Sequence, residues 1–182
     1  IKENKDYEVL DEIPFWLNGQ GYTNKKRNRL YIYNLKENKA TPITDEYTDV
    51  SSYKLNKDRT KVLVIGTTYR DKMELKSDIY IYEIADNILK NISMAKPFRY
   101  SSGNFIGDKI VFTGHAGERY GANENPHFYK MDLDGSNIER ISKDFDYSIW
   151  NSVGSDCRYG VSQSMKVDGE HLYFVTTEWD SS

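Results

Sequence analysis

The stretch LYIYNLKENKATPIT occupies residues 30–44. Its pattern returns as IYIYEIADNILKNIS from Ile79 and as FYKMDLDGSNIERIS from Phe128, so the three copies begin 49 residues apart. Each copy opens on an alternating run. In LYIYNL, Leu30, Ile32 and Asn34 fall on one side and Tyr31, Tyr33 and Leu35 on the other. Alternation with period two, carried by aromatic and β-branched residues, marks a strand. A polar turn follows (KENK, ADN, DGSN), then a short second strand ending in Ile-Thr or Ile-Ser. Each copy therefore reads as a hairpin, and Asp134-Gly135 supplies a strong turn pair in the third.

Between these hairpins lies a second kind of strand pair: VSSYKLNKDRTKVLVIG (Val50–Gly66), FRYSSGNFIGDKIVFTG (Phe98–Gly114) and GVSQSMKVDGEHLYFVTT (Gly160–Thr177). Each has an outer run, a tight polar turn and a very apolar strand of a kind that suits burial on both faces. A period of about fifty residues thus holds four short strands, with no helical periodicity or clean helix caps. Four-stranded units repeated at this interval predict propeller blades. A β-sandwich has similar strands but does not account for the equal spacing. The fold class expected is all-β, a β-propeller fragment of about three to four four-stranded antiparallel blades within residues 1–182.

Composition agrees and removes other classes. Tyr is abundant, with 15 copies against 7 Phe, which fits half-buried strands. Lys+Arg number 25 and Asp+Glu 28, a balance that favours neither nucleic acid nor an anionic membrane as partner. No apolar run approaches the roughly 20 residues of a spanning helix. One cysteine, Cys157, allows no internal disulfide. That is compatible with a reducing cytoplasm, the expected location. The first residue is Ile, and both ends read as cuts inside a longer protein.

Several segments resemble known propellers. KVDGEHLYF (Lys166–Phe174), NFIGDKIVF (Asn104–Phe112) and KLNKDRTKVLV (Lys54–Val64) are similar to degenerate copies of a W-S-P-D-G-K-K-I-A-F blade motif. Two stretches are more specific. DEIPFWLNGQGYTNKKRNRLYIYNL (Asp11–Leu35) resembles the E-I-P-F-W-x-N-G-x-G-F segment of acylaminoacyl-peptidase-like enzymes, serine peptidases of the prolyl oligopeptidase family. NSVGSDCRYGVSQSMKVDGEHLYFVTT (Asn151–Thr177) resembles a later segment of the same domains. The resemblance implies a propeller that gates a C-terminal α/β-hydrolase domain, admitting peptides and excluding folded proteins. The catalytic half is absent from this sequence: no G-x-S-x-G nucleophile elbow occurs, and GVSQS (Gly160–Ser164), the nearest match, lacks the final glycine. No catalytic residue is carried over.

Other candidate chemistry reduces to structure. His115 and His127 flank a Glu-bearing loop at a spacing that fits no compact zinc pattern, and His171 follows a turn. Asp132-Leu133-Asp134-Gly135 echoes a calcium loop, but its twelfth position is Lys143. Cys157 lacks a partner for redox or nucleophilic work. No metal and no cofactor are expected. The long loops Thr67–Ser77 and His115–Pro126 recur at one place in the repeat, on the same expected face as the connections Asp45–Asp49, Met94–Pro97 and Lys143–Ser148. Loops on a rigid scaffold collect binding residues. Tyr69, Arg70, Arg119 and Tyr120 are the candidates there for substrate gating or binding, through carboxylate pairing and stacking. Pro14, Phe15 and Trp16 are the candidate interface to a hydrolase domain; an aromatic plug in a blade core is the other reading of that segment.

The function expected is the non-catalytic, gating part of a serine peptidase acting on short or N-blocked peptides. The alternative is a stand-alone propeller that binds a protein or glycan. The chain spans about 3.7 repeats, fewer than a closed ring of 4–8 blades, and open sheet edges seek partners. Self-association through those edges is the expected consequence. Size-exclusion chromatography across a concentration series checks it, and a strictly monomeric elution at high concentration contradicts it.

Overall fold

A computed structural model describes residues 7, 9–93, 98–143, 145, 147, 149 and 165–176. Cys157, GVSQS (160–164) and the connection at 94–97 lie outside the described residues, as does most of the second peptidase-like segment. The strands are β1 (Trp16–Leu17), β2 (Gly21–Tyr22), β3 (Tyr31–Asn34), β4 (Lys39–Pro42), β5 (Thr48–Leu55), β6 (Lys61–Thr68) and β7 (Asp78–Glu83), continuing with β8 (Ile88–Asn91), β9 (Arg99–Ile106), β10 (Lys109–His115), β11 (His127–Asp132), β12 (Glu139–Arg140), β13 (Met165–Asp168) and β14 (His171–Phe174). Among the described residues one 3₁₀ turn, Gly121–Asn123, interrupts them.

Two four-stranded antiparallel sheets, β5-β6-β7-β8 and β9-β10-β11-β12, follow one another in simple up-and-down order. Each is a blade, and the hairpin completes the strand pair that precedes it. Among the described residues, β3–β4 stands as a two-stranded hairpin and β13–β14 as a two-stranded pair, each half of a blade. Among the described residues, two whole blades and two half-blades make up the expected all-β propeller fragment. First strands lie side by side: β5 and β13 both contact β9.

The core sits between the blades. Alternation along β6 sends Leu63 and Ile65 toward the second blade, where they join Ile79, Ile81, Phe98, Tyr100, Ile110, Phe112 and Met131. Val62 and Val64 go the other way and pack with Tyr82 against Leu30 and Ile43 of the first hairpin. Five consecutive residues of β6, Val62 through Gly66, are buried. The blades approach so closely at Gly103 that a Cβ there would lie 2.8 Å from Leu63 Cδ2. Phe112 stacks on Tyr129 with centroids 5.3 Å apart, and Phe98 meets both rings edge-on.

The Ile-Thr or Ile-Ser ending of each repeat has a specific task. Thr44, Ser93 and Ser142 each accept a hydrogen bond through the side-chain oxygen from the N–H that opens the hairpin, at Leu30 (3.1 Å), Ile79 (2.9 Å) and Phe128 (3.0 Å). The preceding isoleucines, Ile43, Ile92 and Ile141, donate their N–H groups to the carbonyls of the same three residues. This closes the open end of each hairpin. At the turn end, Asn38 and Asn87 take left-handed φ values of 52° and 55°, a conformation Asn tolerates well. Their side chains pair with the hydroxyls of Tyr33 and Tyr82. The calcium-like Asp132 is a turn residue: it pairs with Lys109 and accepts from Asn137. Lys61–Glu83 is the equivalent rung in the first blade.

Ile79 is fully buried, so Ser93→Ala leaves its N–H without a partner. The expected loss is about 1–3 kcal/mol in urea denaturation, while Ser93→Thr, which copies the first repeat, holds near the native value. Leu63→Ala opens a hole between the blades at a cost of about 2–5 kcal/mol. Native stability in Ser93→Ala would refute the assigned role of the hydroxyl.

Candidate functional site

The tight turns and the long loops occupy opposite ends of the blades. At the tight-turn end, residues 55–61, 104–108 and 167–170 surround a hollow of about 820 Å³ with mixed charge. The long-loop end carries two built features: an arch formed by residues 11–27, and a cleft between the two whole blades.

The arch is stitched to the first long loop. Ile13 N–H donates to Asp71 O and Met73 N–H donates to Ile13 O, both at 2.7 Å, as a short parallel bridge. Its centre is a buried ion pair. Arg27 Nη2 donates to Glu12 Oε2 at 2.8 Å, with both side chains under 5% exposed. Lys25 N–H donates to the other carboxylate oxygen at 2.6 Å. Burial pushes the Glu12 carboxyl up, but hydrogen bonds from Thr23, Arg27 and Lys25 N–H outweigh it and hold the group below its ordinary value. The Arg27 guanidinium lies 3.7 Å from the centre of the Tyr69 ring. Asn28 completes the anchorage by donating twice to Asp49 Oδ1 at the start of the first blade.

This rigid base holds apolar side chains outward. Ile13 is 60% exposed, Phe15 49%, Trp16 52% and Tyr22 47%. Pro14, preceded by a cis peptide, is half-buried. Trp16 meets Tyr22 edge-on at 5.0 Å across β1–β2. Phe15 and Trp16 therefore form an exposed face and do not plug a blade core.

The four loop candidates do not converge. Tyr69 is buried beneath Arg27. Arg70 stacks on Tyr47 at 4.3 Å, and Arg119 stacks on its neighbour Tyr120 at 4.8 Å. Each is an Arg–Tyr pair of the cation–π type, and they belong to separate parts of the face. The second long loop folds around Glu124, whose carboxylate accepts from the N–H groups of Arg119 and Tyr120. These bonds, the Arg119 N–H foremost, hold its carboxyl below the ordinary range.

What sequence reading passed over is the inter-blade cleft beside that loop. β9 and β10 change register between Thr113 and Gly114, which sets His115 opposite Arg99 at the sheet end. Gly114 is needed there: a Cβ would lie 2.5 Å from both Arg99 O and the Phe98 ring. The first blade has the same shift, and its equivalent pair is Asp49 and Thr67. His115 is buried, and burial pushes its imidazole below the ordinary value, with Arg99 adding to the effect and Glu124 opposing it. The one signal in the sequence is His115 in the place that Thr67 fills in the preceding repeat. Among the described residues no group of three or more His, Cys, Asp or Glu is placed to hold a metal ion.

No family model matches the chain, and no curated protein matches it. Among solved structures it is similar to a protein assigned as TolB from Agrobacterium tumefaciens, at 15% identity and a TM-score of 0.47, over 62% of this chain and 40% of that one. TolB from Acinetobacter baumannii is similar at 15% identity and a TM-score of 0.45, over 68% and 29% respectively. The chain thus spans less than half the length of either. Likeness this distant carries no functional argument, and the propeller assignment rests on the blades themselves. The described residues form a propeller fragment that presents loops and an aromatic arch at one end.

Removing one partner of a buried ion pair leaves an uncompensated charge. Arg27→Ala is therefore expected to release the arch while the blades stay folded, seen as faster hydrogen exchange at the Ile13 and Met73 amides. Acid acts through the same pair. Because the Glu12 carboxyl is held down in the folded arch, its contribution is complete above the ordinary carboxylate range and is lost as pH falls through the lowered value. Unchanged exchange in Arg27→Ala would remove the pair from its anchoring role.

Proposed function

We propose that this chain is the non-catalytic propeller part of a serine peptidase of the prolyl oligopeptidase kind, where it supports an α/β-hydrolase domain and restricts which peptides reach it. The observation that carries the reading is the arch. Four large apolar side chains stand in solvent on a short hairpin that a buried ion pair, a ring stack and a β-bridge hold still. Clustered apolar exposure on a stiff support marks a contact surface. The residues concerned, Ile13, Phe15, Trp16 and Tyr22, belong to the segment whose sequence resembles acylaminoacyl-peptidase-like propellers. The resemblance supplies the occupant: a hydrolase domain encoded after these blades, with a Ser-Asp-His triad, acting on short or N-blocked peptides. The propeller contributes no catalytic group.

The test is made on the full-length gene product. A fluorophosphonate probe should label one serine beyond this propeller, and N-acetylated short peptides should be cleaved. Phe15→Ser with Trp16→Ser should loosen docking, so that longer polypeptides are cleaved more readily while the blades retain their thermal transition. Absence of any hydrolase domain, or of any probe labelling, refutes the proposal and leaves a binding propeller.

A further inference from the structure

Two clefts of about 470 and 210 Å³ open between the whole blades and share a wall that includes Leu75, Lys76, Arg99, His115 and Ala122. His115 closes the inner end. It is only 7% exposed, and its Nδ1 is buried without a hydrogen-bond partner. Buried polar atoms in folded proteins are nearly always bonded, and an exception calls for a reason. The ring forms part of the wall of both clefts, with Nδ1 itself below the surface.

The inner cleft differs from the outer one in charge. The inner cleft is lined by two cations, Lys76 and Arg99, and by no carboxylate. Both cations are exposed, and neither forms an ion pair with a described residue. Glu124, in the outer cleft, is already engaged by backbone N–H groups of its own loop, and Glu74 stands exposed at the rim. The remaining inner wall is apolar, with Leu75, Phe98 and Ala122 among its residues. Such a site combines a small apolar recess, an imidazole ring in its wall and cationic groups at the mouth.

We propose that this cleft binds a carboxylate-bearing ligand with a small apolar body, of which the C-terminal residue of a peptide is the natural example. Arg99 and Lys76 take the carboxylate; a guanidinium matches its two oxygens in a way a single ammonium does not. Leu75, Phe98 and Ala122 receive the apolar part, against the His115 ring. The site is built from this chain's own two blades and does not depend on the peptidase reading.

N-acetyl-leucine is the probe, titrated into the protein while the His115 ring resonances are followed by NMR. Saturable binding that shifts those resonances is expected. N-acetyl-leucinamide lacks the carboxylate and acetate lacks the apolar body, and each should bind at least about tenfold more weakly. Arg99→Gln with Lys76→Gln alters two exposed side chains, so the fold should persist by circular dichroism while affinity falls about tenfold or more. The proposal is overturned if N-acetyl-leucine does not saturate, if the amide or acetate binds equally well, or if the double variant binds like the native protein.

Discussion

Everything in this structure depends on a strand that is buried on both faces. β6 cannot hide its apolar residues within one sheet, because alternate side chains point to opposite sides. Leu63 and Ile65 need the next blade, while Val62 and Val64 need the previous hairpin. Stacking neighbours is the only way to satisfy both sets, and that makes the repeat a propeller and not a row of independent sheets. β10 repeats the condition: Ile110 and Phe112 face the first blade, and Val111 is just as fully buried. Each such side chain is worth about 1.5–3 kcal/mol when removed from water, so the inter-blade contact dominates the local turns.

That demand explains the half-blades. β3 is exposed along its length, and Tyr173 and Phe174 of β14 are 58% and 40% exposed. Both elements have the composition of interior strands. Where a neighbouring sheet covers the same pattern, as at β6 and β10, burial is nearly complete. The polar frame is more local. Thr44, Ser93 and Ser142 close their own hairpins, and Asn38 and Asn87 turn theirs, without help from another blade.

The long-loop end shows what a rigid stack can carry. At equivalent positions the first blade places Asp49 and Thr67, and the second places Arg99 and His115. Asp49 is used to tie down the arch through Asn28. Arg99 and His115 instead border an open cleft. The same backbone, with its register shift and its tight glycine, thus serves attachment in one blade and presents polar groups in the next.

The 49-residue interval, the alternating strands and the turn residues determined the all-β repeat and located its hairpins, because period and turn chemistry are properties of neighbours in the chain. The sequence also marked Pro14, Phe15 and Trp16 as unusual. It did not reveal that they stand outward on a hairpin, since that depends on Glu12 meeting Arg27 and on Arg27 meeting Tyr69 from a different blade. Tyr69, Arg70, Arg119 and Tyr120 looked alike as loop residues, yet Arg119 and Tyr120 pair with each other, while Tyr69 and Arg70 are engaged by Arg27 and Tyr47, partners that only folding brings near. His115 read as one end of a polar loop. Its burial and its place beside Arg99 arise from strand pairing and from the cleft between two blades, which are distances through space that spacing along a chain does not encode.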